Sequence, residues 1–493
     1  MVISPDRKDF STIFNILGKL ILGLSGFMLI PMGVALLYQE TVPLFDFLIS
    51  FLISAIVGTV FLLCFPKQKE VGPLHSFFIV SLIWLLASLL GAIPLYLSSH
   101  WKSFLDAWFE AMSGFATTGL ILVNDLDHLS FAHNMWRHLM MFVGGQGIIL
   151  AGLSILAKSR GSALGFYLGE GRQEKILPNV IDTARFIWKV SFLYLGLGLV
   201  VFAYLLLRQG IAFDKSLLHG LWLFMAAFDT GGFAPQAQNI AYYHSSVFEV
   251  ATVVFMILGA INFNLHFWVW TKQKGEITKN FEIRTFLTTL TFLTVLLYLS
   301  LRGGPDIFRR GFYQLISAHT GCGFTNLASA QLPLLGGGFT LFVLIMAMAL
   351  GGGTCSTTGG VKLMRIGFIA KALMNELRRW MMPTKAVYKN TYHHLKDSVL
   401  EPEKIREAFI IFSLYLFTYI GGGIIAMILG YEPIPALFES VSATANVGLS
   451  VGITSPTMPA LLKVVYIFQM WLGRLEFLSI FVSLGFIYTL FRK

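Results

Sequence analysis

The amino-acid sequence predicts an all-α polytopic membrane protein with two leading helices and four copies of a unit of helix, half-helix, turn and helix. Three observations lead to this prediction. The 493-residue chain is 56% hydrophobic and only 13% charged, whereas soluble domains are about 25% charged. It contains many apolar runs as long as a bilayer span. Between them lie four short apolar segments, each of which ends at a glycine turn.

Long apolar runs occur along the whole chain, and a helical span needs about 20 residues. The first run is longer than a signal-peptide core of about 7–15 residues, so we interpret it as retained. Three scattered cysteines, Cys64, Cys322 and Cys355, indicate neither a disulfide framework nor a zinc site. The runs are 13–38, 44–65, 76–98, 134–157, 185–207, 245–270, 284–301, 404–430 and 460–490, with an interrupted run at 336–380.

Four shorter apolar segments alternate with these runs, at 104–115, 215–228, 307–318 and 434–444. Helices of that length cover about half of a ~30 Å hydrocarbon core, so we predict re-entrant half-helices. The turns that follow them share small and hydroxyl-bearing residues and close on one glycine. They lie at 113–120, 226–233, 317–326 and 442–449.

The distribution of basic residues predicts the orientation. If the N-terminus is cytoplasmic, the inner segments contain 25 of the 36 Lys and Arg residues and the outer segments seven. Cytoplasmic loops of membrane proteins hold such an excess. All four turns are then extracellular. The net charge of +10 reflects this orientation, and we expect no nucleic-acid partner because the basic residues lie in short loops between apolar runs.

The turns have the chemistry of a cation site. A half-helix that enters from outside places the negative end of its dipole near the bilayer centre. Carbonyl groups of an extended segment behind it replace a cation's hydration shell, as in potassium filters. Glycine reaches the backbone angles that this arrangement needs. The alternative is that these glycines are helix-packing contacts, but four copies on one side favour the shared site.

The segment 351–360 interrupts an apolar run, and five of its ten residues are glycine while the others are Thr, Cys or Ser. It neither holds a helix nor covers its own backbone, so it faces water or polar partners. A cytoplasmic connector is the alternative. We favour a flexible intramembrane loop below the turns, because a helix over 336–350 is only about 22 Å long and stops short of the inner surface.

Several polar residues lie within apolar segments. Placing a charged side chain such as Arg474 within a membrane span costs at least about 2.5–3.5 kcal/mol. We expect Arg474 to donate hydrogen bonds to the loop's carbonyls rather than to snorkel to the membrane surface. Glu110 and Glu439 occupy matching places in the first and fourth half-helices, and they either attract cations or bond neighbouring backbone. At His319 we favour a structural histidine that is hydrogen-bonded to neighbouring groups over one that titrates near neutral pH. His266 and Arg137 are expected in contacts between helices.

The sequence resembles the Trk/Ktr/HKT superfamily of potassium transporters, most closely the bacterial Trk-type members. The resemblance covers nearly the whole chain and rests on the four turns and on further motifs in the same order. These motifs are Trp136-Arg137 with Gly144-Gly145-Gln146-Gly147, Asn262-Phe263 with Leu265-His266-Phe267, the segment 351–362, and Leu472-Gly473-Arg474-Leu475-Glu476.

The resemblance implies a pseudo-fourfold pore with a selectivity filter of carbonyl groups. Gly119 implies potassium, since some sodium-favouring relatives carry serine there. Asp229 and His319 beside the filter are departures that leave the strength of selectivity open. The implied filter residues are Thr117, Thr118, Gly119, Thr230, Gly231, Gly232, Gly321, Cys322, Gly323, Asn446, Val447 and Gly448.

The resemblance also implies that the loop is a gate that closes the pore from below. The implied gating residues are Gly351, Gly352, Gly353, Thr354, Cys355, Ser356, Thr357, Thr358, Gly359, Gly360 and Arg474. It further implies a homodimer with one pore in each subunit, and a cytosolic nucleotide-binding regulatory ring. Any nucleotide is expected on that ring, since the chain has no phosphate-loop motif. The basic stretch 362–406 suits anionic lipid and a docking regulator equally.

The predicted function is potassium uptake across a bacterial inner membrane by a multi-pass protein without enzymatic activity or a covalent cofactor. The alternatives are a proton- or sodium-coupled symporter that uses Asp229 or His319, an intramembrane enzyme that uses His319, Asp229 or Cys322, and a scaffold without transport. No recognisable motif pairs a nucleophile with a base. The predicted divisions are 1–74 for the leading helices and 75–183, 184–282, 283–403 and 404–493 for the four units.

Overall fold

The structure is a computed structural model, and it describes residues 6–123, 125–148, 160–172, 176–177, 179–271, 275–301, 304–383 and 390–489. Helices dominate it, as the sequence predicts. The first helix begins behind Asp6, whose carboxylate accepts the backbone N–H groups of Lys8 and Asp9. The helices before the first half-helix are Arg7–Phe27, Leu29–Leu37, Thr41–Cys64 and Pro73–Leu97.

The four predicted half-helices are confirmed as separate elements. Ser103 caps the first with its hydroxyl, and the third and fourth begin with proline, whose missing N–H is no loss at that position. Their lengths of 12 to 16 residues correspond to about 18–24 Å, less than a ~30 Å core. The half-helices are Phe104–Phe115, Phe213–Phe228, Pro305–His319 and Pro433–Thr444.

The helix after the half-helix is interrupted in units 2, 3 and 4, which the sequence predicted only for the third unit. The expectation of continuous spans at 245–270 and 460–490 is wrong, because the chain bends there by 99° and 105°. In unit 1 the corresponding helix ends at Gln146, and part of 134–157 lies outside the described residues. The segments are Phe131–Gln146, Ser246–Ala260 with Phe263–Trp270, Gly337–Ala349 with Leu363–Met381, and Ala460–Arg474 with Leu478–Tyr488.

Local chemistry explains the two bends. Asn262 caps a new helix with its side chain, which accepts the N–H of Asn264 at 2.9 Å. The second bend passes through Glu476 and Phe477, which have positive φ of 49° and 67°. Hydropathy is high on both sides of each bend, so an apolar count does not report either of them. Both bends lie next to the loop 351–360, as shown below.

The peripheral helices expose apolar side chains. Within the described residues, six helices are long and apolar enough to cross a membrane, or up to eight if each bent pair counts as one span. In an apolar 18-residue stretch of each of three helices, only 22%, 11% and 28% of the residues are buried; the helices are Thr41–Cys64, Phe281–Ser300 and Pro402–Ile428. An apolar exterior of this kind is stable in lipid and unstable in water. Among the described residues, the remaining α-helices are Arg160–Gly169, Val180–Arg208 and Glu276–Lys279, and two short 3-10 helices span Asn239–Tyr243 and Ser329–Leu334.

A small antiparallel hairpin lies in the predicted inner stretch, and no sequence pattern indicated it. Its strands are Thr391–His394 and Lys396–Val399, with Thr391 opposite Val399. Leu395 makes the turn with a φ of 59°. His393 holds the hairpin against the short helix Glu276–Lys279 through Glu276 at 3.0 Å.

Candidate functional site

The four half-helices end in the same backbone turn. We call these turns 1 to 4, at 117–119, 230–232, 321–323 and 446–448. The N–H of each middle residue donates to the carbonyl five residues earlier, which caps the half-helix. These bonds join Thr118 to Ser113, Gly231 to Ala226, Cys322 to Ser317 and Val447 to Ser442, at 2.8, 2.8, 3.0 and 2.9 Å.

Each turn contains two residues in the left-handed region of backbone space. The first residue has φ of 51° at Thr117, 49° at Thr230, 70° at Gly321 and 54° at Asn446. For threonine this conformation costs about 1–2 kcal/mol, whereas asparagine adopts it more readily. Strain of this kind concentrates at functional sites. The closing glycines Gly119, Gly232, Gly323 and Gly448 have φ of 90°, 74°, 82° and 93°.

The turns form a closed ring. A Cβ atom added to any closing glycine would lie less than 3.0 Å from a carbonyl oxygen of the next turn, closer than real Cβ atoms approach. The contacts run from Gly119 to Gly231, from Gly232 to Cys322, from Gly323 to Val447 and from Gly448 to Thr118. Because the last contact returns to the first turn, the four units surround one axis in chain order. Glycines that only pack two helices together do not produce such a cycle.

A wide cavity opens on one side of the ring, which is the predicted outer side. Its volume is about 830 Å³, and its lining includes Gly119, Gly323 and Gly448 together with loop residues such as Asn239 and Thr325. The cavity therefore reaches the closing glycines from the side on which the half-helices begin. A hydrated ion fits into a space of this size.

The loop 351–360 fills the opposite side of the ring, and all ten of its residues are buried. Its ends pair at the bridge between Leu350 and Val361. Thr357 donates to the carbonyls of Phe228 and Gly259 at 3.0 Å each and lies 3.2 Å from the Thr230 hydroxyl.

The loop also reaches turns 3 and 4. A Cβ atom at Gly321 would lie 3.7 Å from Thr358, and one at Gly359 would collide with the carbonyl of Ala445. The loop thus touches turns 2, 3 and 4 directly and lies across the axis of the ring.

Arg474 connects the loop to turn 1. Its guanidinium donates to the carbonyl of Thr357 at 2.8 Å and to the hydroxyl of Thr117 at 3.2 Å. It also donates to the carbonyls of Gly144 at 2.5 Å and Gly145 at 3.2 Å. A snorkelling arginine makes no such set of contacts, so the geometry favours the bonding interpretation. The planar guanidinium thus joins the loop, turn 1 and the helix Phe131–Gln146 at once, which a lysine ammonium does not do.

A small cavity lies below the loop in the part of the chain that the structure describes. Its volume of about 20 Å³, among Trp84, Arg172, Cys355, Lys362 and Glu476, is room for about one water molecule. Arg172 donates to the carbonyl of Gln146 at 2.8 Å and lies 3.7 Å from the sulfur of Cys355. No sequence pattern singled out Arg172, because it lies in a basic segment, 158–185, whose charge the predicted orientation already accounts for.

Comparison with known proteins identifies the family. The sequence matches the family model described as "TrkH: Cation transport protein" over residues 43–303 and 305–487. The chain belongs to the TrkH family of cation transport proteins.

Individual relatives cover the chain almost completely. An uncharacterized cation transporter of Methanocaldococcus jannaschii is 33% identical over 98% of this chain and 97% of the relative. The Trk system potassium uptake protein TrkH of Escherichia coli K12 is 29% identical over 96% of this chain and 98% of its own. The crystal structure of the potassium transporter TrkH from Vibrio parahaemolyticus superposes with a TM-score of 0.80 at 26% identity, covering 96% and 98% of the two chains.

In this TrkH-family chain, Glu110 and Glu439 bond backbone rather than face the cavity, and both are fully buried. Glu110 accepts the N–H of Leu122 at 3.0 Å and pairs with Arg137 at 2.9 Å. Glu439 accepts the N–H groups of Val451 and Ile453 at 3.0 and 3.2 Å. Each carboxylate therefore fixes the segment just beyond a closing glycine.

Arg137 and His266 lie in contacts between helices. Arg137 donates to the carbonyl of Ala234 at 3.3 Å, which ties unit 1 to the segment behind turn 2. His266 contacts the hydroxyl of Tyr194 and the carbonyl of Leu258, both at 3.1 Å.

The three residues considered for proton coupling or catalysis point in different directions. His319 contacts Thr289 at 2.8 Å and lies edge-on to Phe286, on the flanking helix. Asp229 accepts a bond from Gln146 at 2.6 Å behind turn 2. The sulfur of Cys322 lies 3.5 Å from the carbonyl of Ala226. Within the described part of the chain, no hydrogen bond joins any two of them.

Proposed function

We propose that the protein takes up potassium ions through the ring of turns 1 to 4, which acts as the selectivity filter. The observation that supports this most is the closed cycle of glycine-to-carbonyl contacts, open to a wide outer cavity. Backbone oxygens arranged around an axis replace the hydration shell of a potassium ion. Relatives whose names specify potassium uptake match almost the entire chain.

The loop 351–360 is the gate in this proposal, and Arg474 holds it closed. The loop lies across the ring axis and contacts three turns, while Arg474 contacts the fourth. The described conformation is then closed to the inside. Opening requires the loop to move away from the axis, which its five glycines permit at low cost in backbone strain.

The experiment that tests the filter compares rubidium and sodium uptake into vesicles. In wild type we expect rubidium to exceed sodium. Gly119→Ser should lower that ratio, because a side chain at φ of 90° displaces the carbonyl of Gly231. Gly196→Ser is the matched control, since no atom lies within 4 Å of a Cβ there. If neither ion enters vesicles that contain the wild-type protein, and neither enters vesicles that contain a variant lacking 351–360, the pore proposal is wrong.

The proposed setting is a bacterial inner membrane with a cytoplasmic N-terminus, a homodimer with one pore in each subunit, and a cytosolic nucleotide-binding ring that regulates the inner face. The excess of basic residues on the predicted inner segments supports the orientation. Labelling of single cysteines placed in the outer loops tests it, because those positions should react from outside intact cells.

Coupled symport with a proton or with sodium is the second candidate function. Asp229 favours the proton form, because it is a fully buried carboxyl group directly behind turn 2. Uptake that follows an imposed pH gradient in wild type but not in Asp229→Asn would support this candidate. Uptake that follows only the potassium gradient and the membrane potential would support a channel.

A further inference from the structure

Glu282 is a buried carboxylate directly below the loop, outside the set of residues considered so far. It lies in the first turn of the helix Phe281–Ser300 and is 2% exposed. One of its oxygens accepts both the backbone N–H of Thr354, at 2.6 Å, and the hydroxyl of Thr354, at 2.8 Å. The loop is thus held by a charged side chain at this residue as well as at Arg474.

The second oxygen of Glu282 extends the contact to the bend in unit 2. It accepts the amide of Asn262 at 3.1 Å, and the same amide lies 3.1 Å from the Thr354 hydroxyl. Neighbouring backbone bonds fix this edge of the loop, from Gly353 to the carbonyl of Ala260 at 2.9 Å and from Phe263 to that of Cys355 at 3.1 Å. Glu282, Asn262 and Thr354 form one small cluster, which we call the loop anchor.

The loop anchor continues to the cytoplasmic hairpin. His394 lies 4.0 Å from the second oxygen of Glu282 and 3.2 Å from the amide of Asn280. Glu276 holds the tip of the hairpin through the N–H of Leu395 at 2.9 Å. Two side chains, His394 and Glu282, therefore separate the hairpin backbone from Thr354.

We propose that Glu282 is the positioning residue that holds the loop 351–360 under the ring, and that it links the loop to the hairpin Thr391–Val399. The role of the loop as a gate rests on the proposed function above. A carboxylate suits this task because it accepts several bonds at once, and bonds to a charged acceptor are roughly twice as strong as neutral ones. A glutamine keeps the shape but has one acceptor oxygen instead of two.

The native Cys355 reports whether the loop has moved. It follows Thr354 directly and is 3% exposed. The rate at which a thiosulfonate reagent modifies Cys355 from the inner side measures how often the loop leaves its position. Mass spectrometry distinguishes this residue from the exposed Cys64. This readout does not depend on ion flux.

The test compares labelling and rubidium uptake in purified full-length protein in vesicles. We expect Glu282→Gln to speed the labelling of Cys355 by about tenfold, the factor that corresponds to about 1.4 kcal/mol or one weakened charge-assisted bond. Asp46→Asn is the matched control, a buried carboxyl near His133 and away from the loop. Wild-type labelling in Glu282→Gln would overturn the inference.

Two further variants separate a positioning role from general loss of structure. Thr354→Val removes one bond to Glu282 and nearly preserves the side-chain shape. Its effect should not add to that of Glu282→Gln if the two residues act as one unit, and full additivity would contradict the loop anchor. Glu276→Ala frees the hairpin and should also speed labelling. Unchanged labelling in that variant would overturn the link to the hairpin.

Failure of the gate and failure of the anchor give different results. If Glu282→Gln speeds labelling while rubidium uptake stays at the wild-type level, Glu282 holds the loop but the loop does not gate the pore. If both increase with an unchanged ratio of rubidium to sodium, the anchor and the gate are both supported. The ratio should stay constant because the anchor does not contact the closing glycines.

Discussion

Replacement of Arg474 by lysine should open the pore while keeping the positive charge. The guanidinium bonds Thr357 on the loop and Gly144 on the opposite wall, at 2.8 and 2.5 Å. A lysine ammonium is a single point of charge and does not span both sides. Loss of one bond that involves a charged donor destabilises the closed form by about 1.5–3 kcal/mol, which raises the ratio of open to closed protein about 10- to 150-fold.

The assay for this prediction is rubidium uptake into vesicles without any regulatory partner. Arg474→Lys should increase the initial rate, and the ratio of rubidium to sodium should stay constant. Arg185→Lys is the matched control, because the side chain of Arg185 is 60% exposed and forms an ion pair with Asp182 on the same helix, at 3.5 Å. Wild-type uptake in Arg474→Lys would refute the reasoning, since it would mean that charge alone, or neither charge nor bonding, keeps the loop closed.

Three further predictions follow from the contacts around the ring and the hairpin. Thr357→Val removes the donor to the carbonyls of Phe228 and Gly259, so the closed form should lose about 1–3 kcal/mol and rubidium uptake should rise. Glu439→Gln weakens the bonds behind turn 4, and it should lower both the ratio of rubidium to sodium and the melting temperature, while unchanged selectivity would limit Glu439 to a role in folding. Hydrogen bonds to Asp397 and Glu276 raise the pKa of His393 above its usual value of 6.5. The protonated His393 should therefore stabilise the hairpin fully below about pH 6.5, and this stabilisation should be lost as the pH rises through the raised pKa. Amide exchange of 391–399 should speed up over that pH range in wild type but not in His393→Gln.

The half-helices and turns could be predicted from sequence because their signals are local. A short apolar segment, a hydroxyl-bearing turn and one glycine occur within about a dozen residues. The excess of basic residues predicts an orientation. The break at 351–360 was also visible, since five glycines in ten residues do not form a stable helix. The function of the loop still depends on contacts that are distant in sequence, such as that between Thr357 and Phe228.

The other breaks were not predictable because their causes are single residues in apolar surroundings. Asn262 is one polar residue in a long hydrophobic run, and the bend at Glu476 and Phe477 depends on two positive φ angles that no composition reveals. Glu282 and Arg172 were missed for a related reason. Each lies in or beside an inner loop, where a charged residue is expected without any special role.

If the four units form the proposed pore, the position of the two bends explains how a loop from one unit closes it. In units 1, 2 and 4, a glycine of the second helix lies against the last carbonyl of the half-helix, at Gly144, Gly259 and Gly473. Each of those helices ends within a few residues, which frees backbone carbonyls just below the ring. Arg474 binds the carbonyls freed in unit 1, and loop N–H groups bind those of unit 2. The two bends, together with the end of the helix in unit 1, thus build the walls that hold the loop of unit 3. A substitution that straightens either bend, for example at Asn262, should release the loop while leaving turns 1 to 4, the proposed ion-binding turns, unchanged.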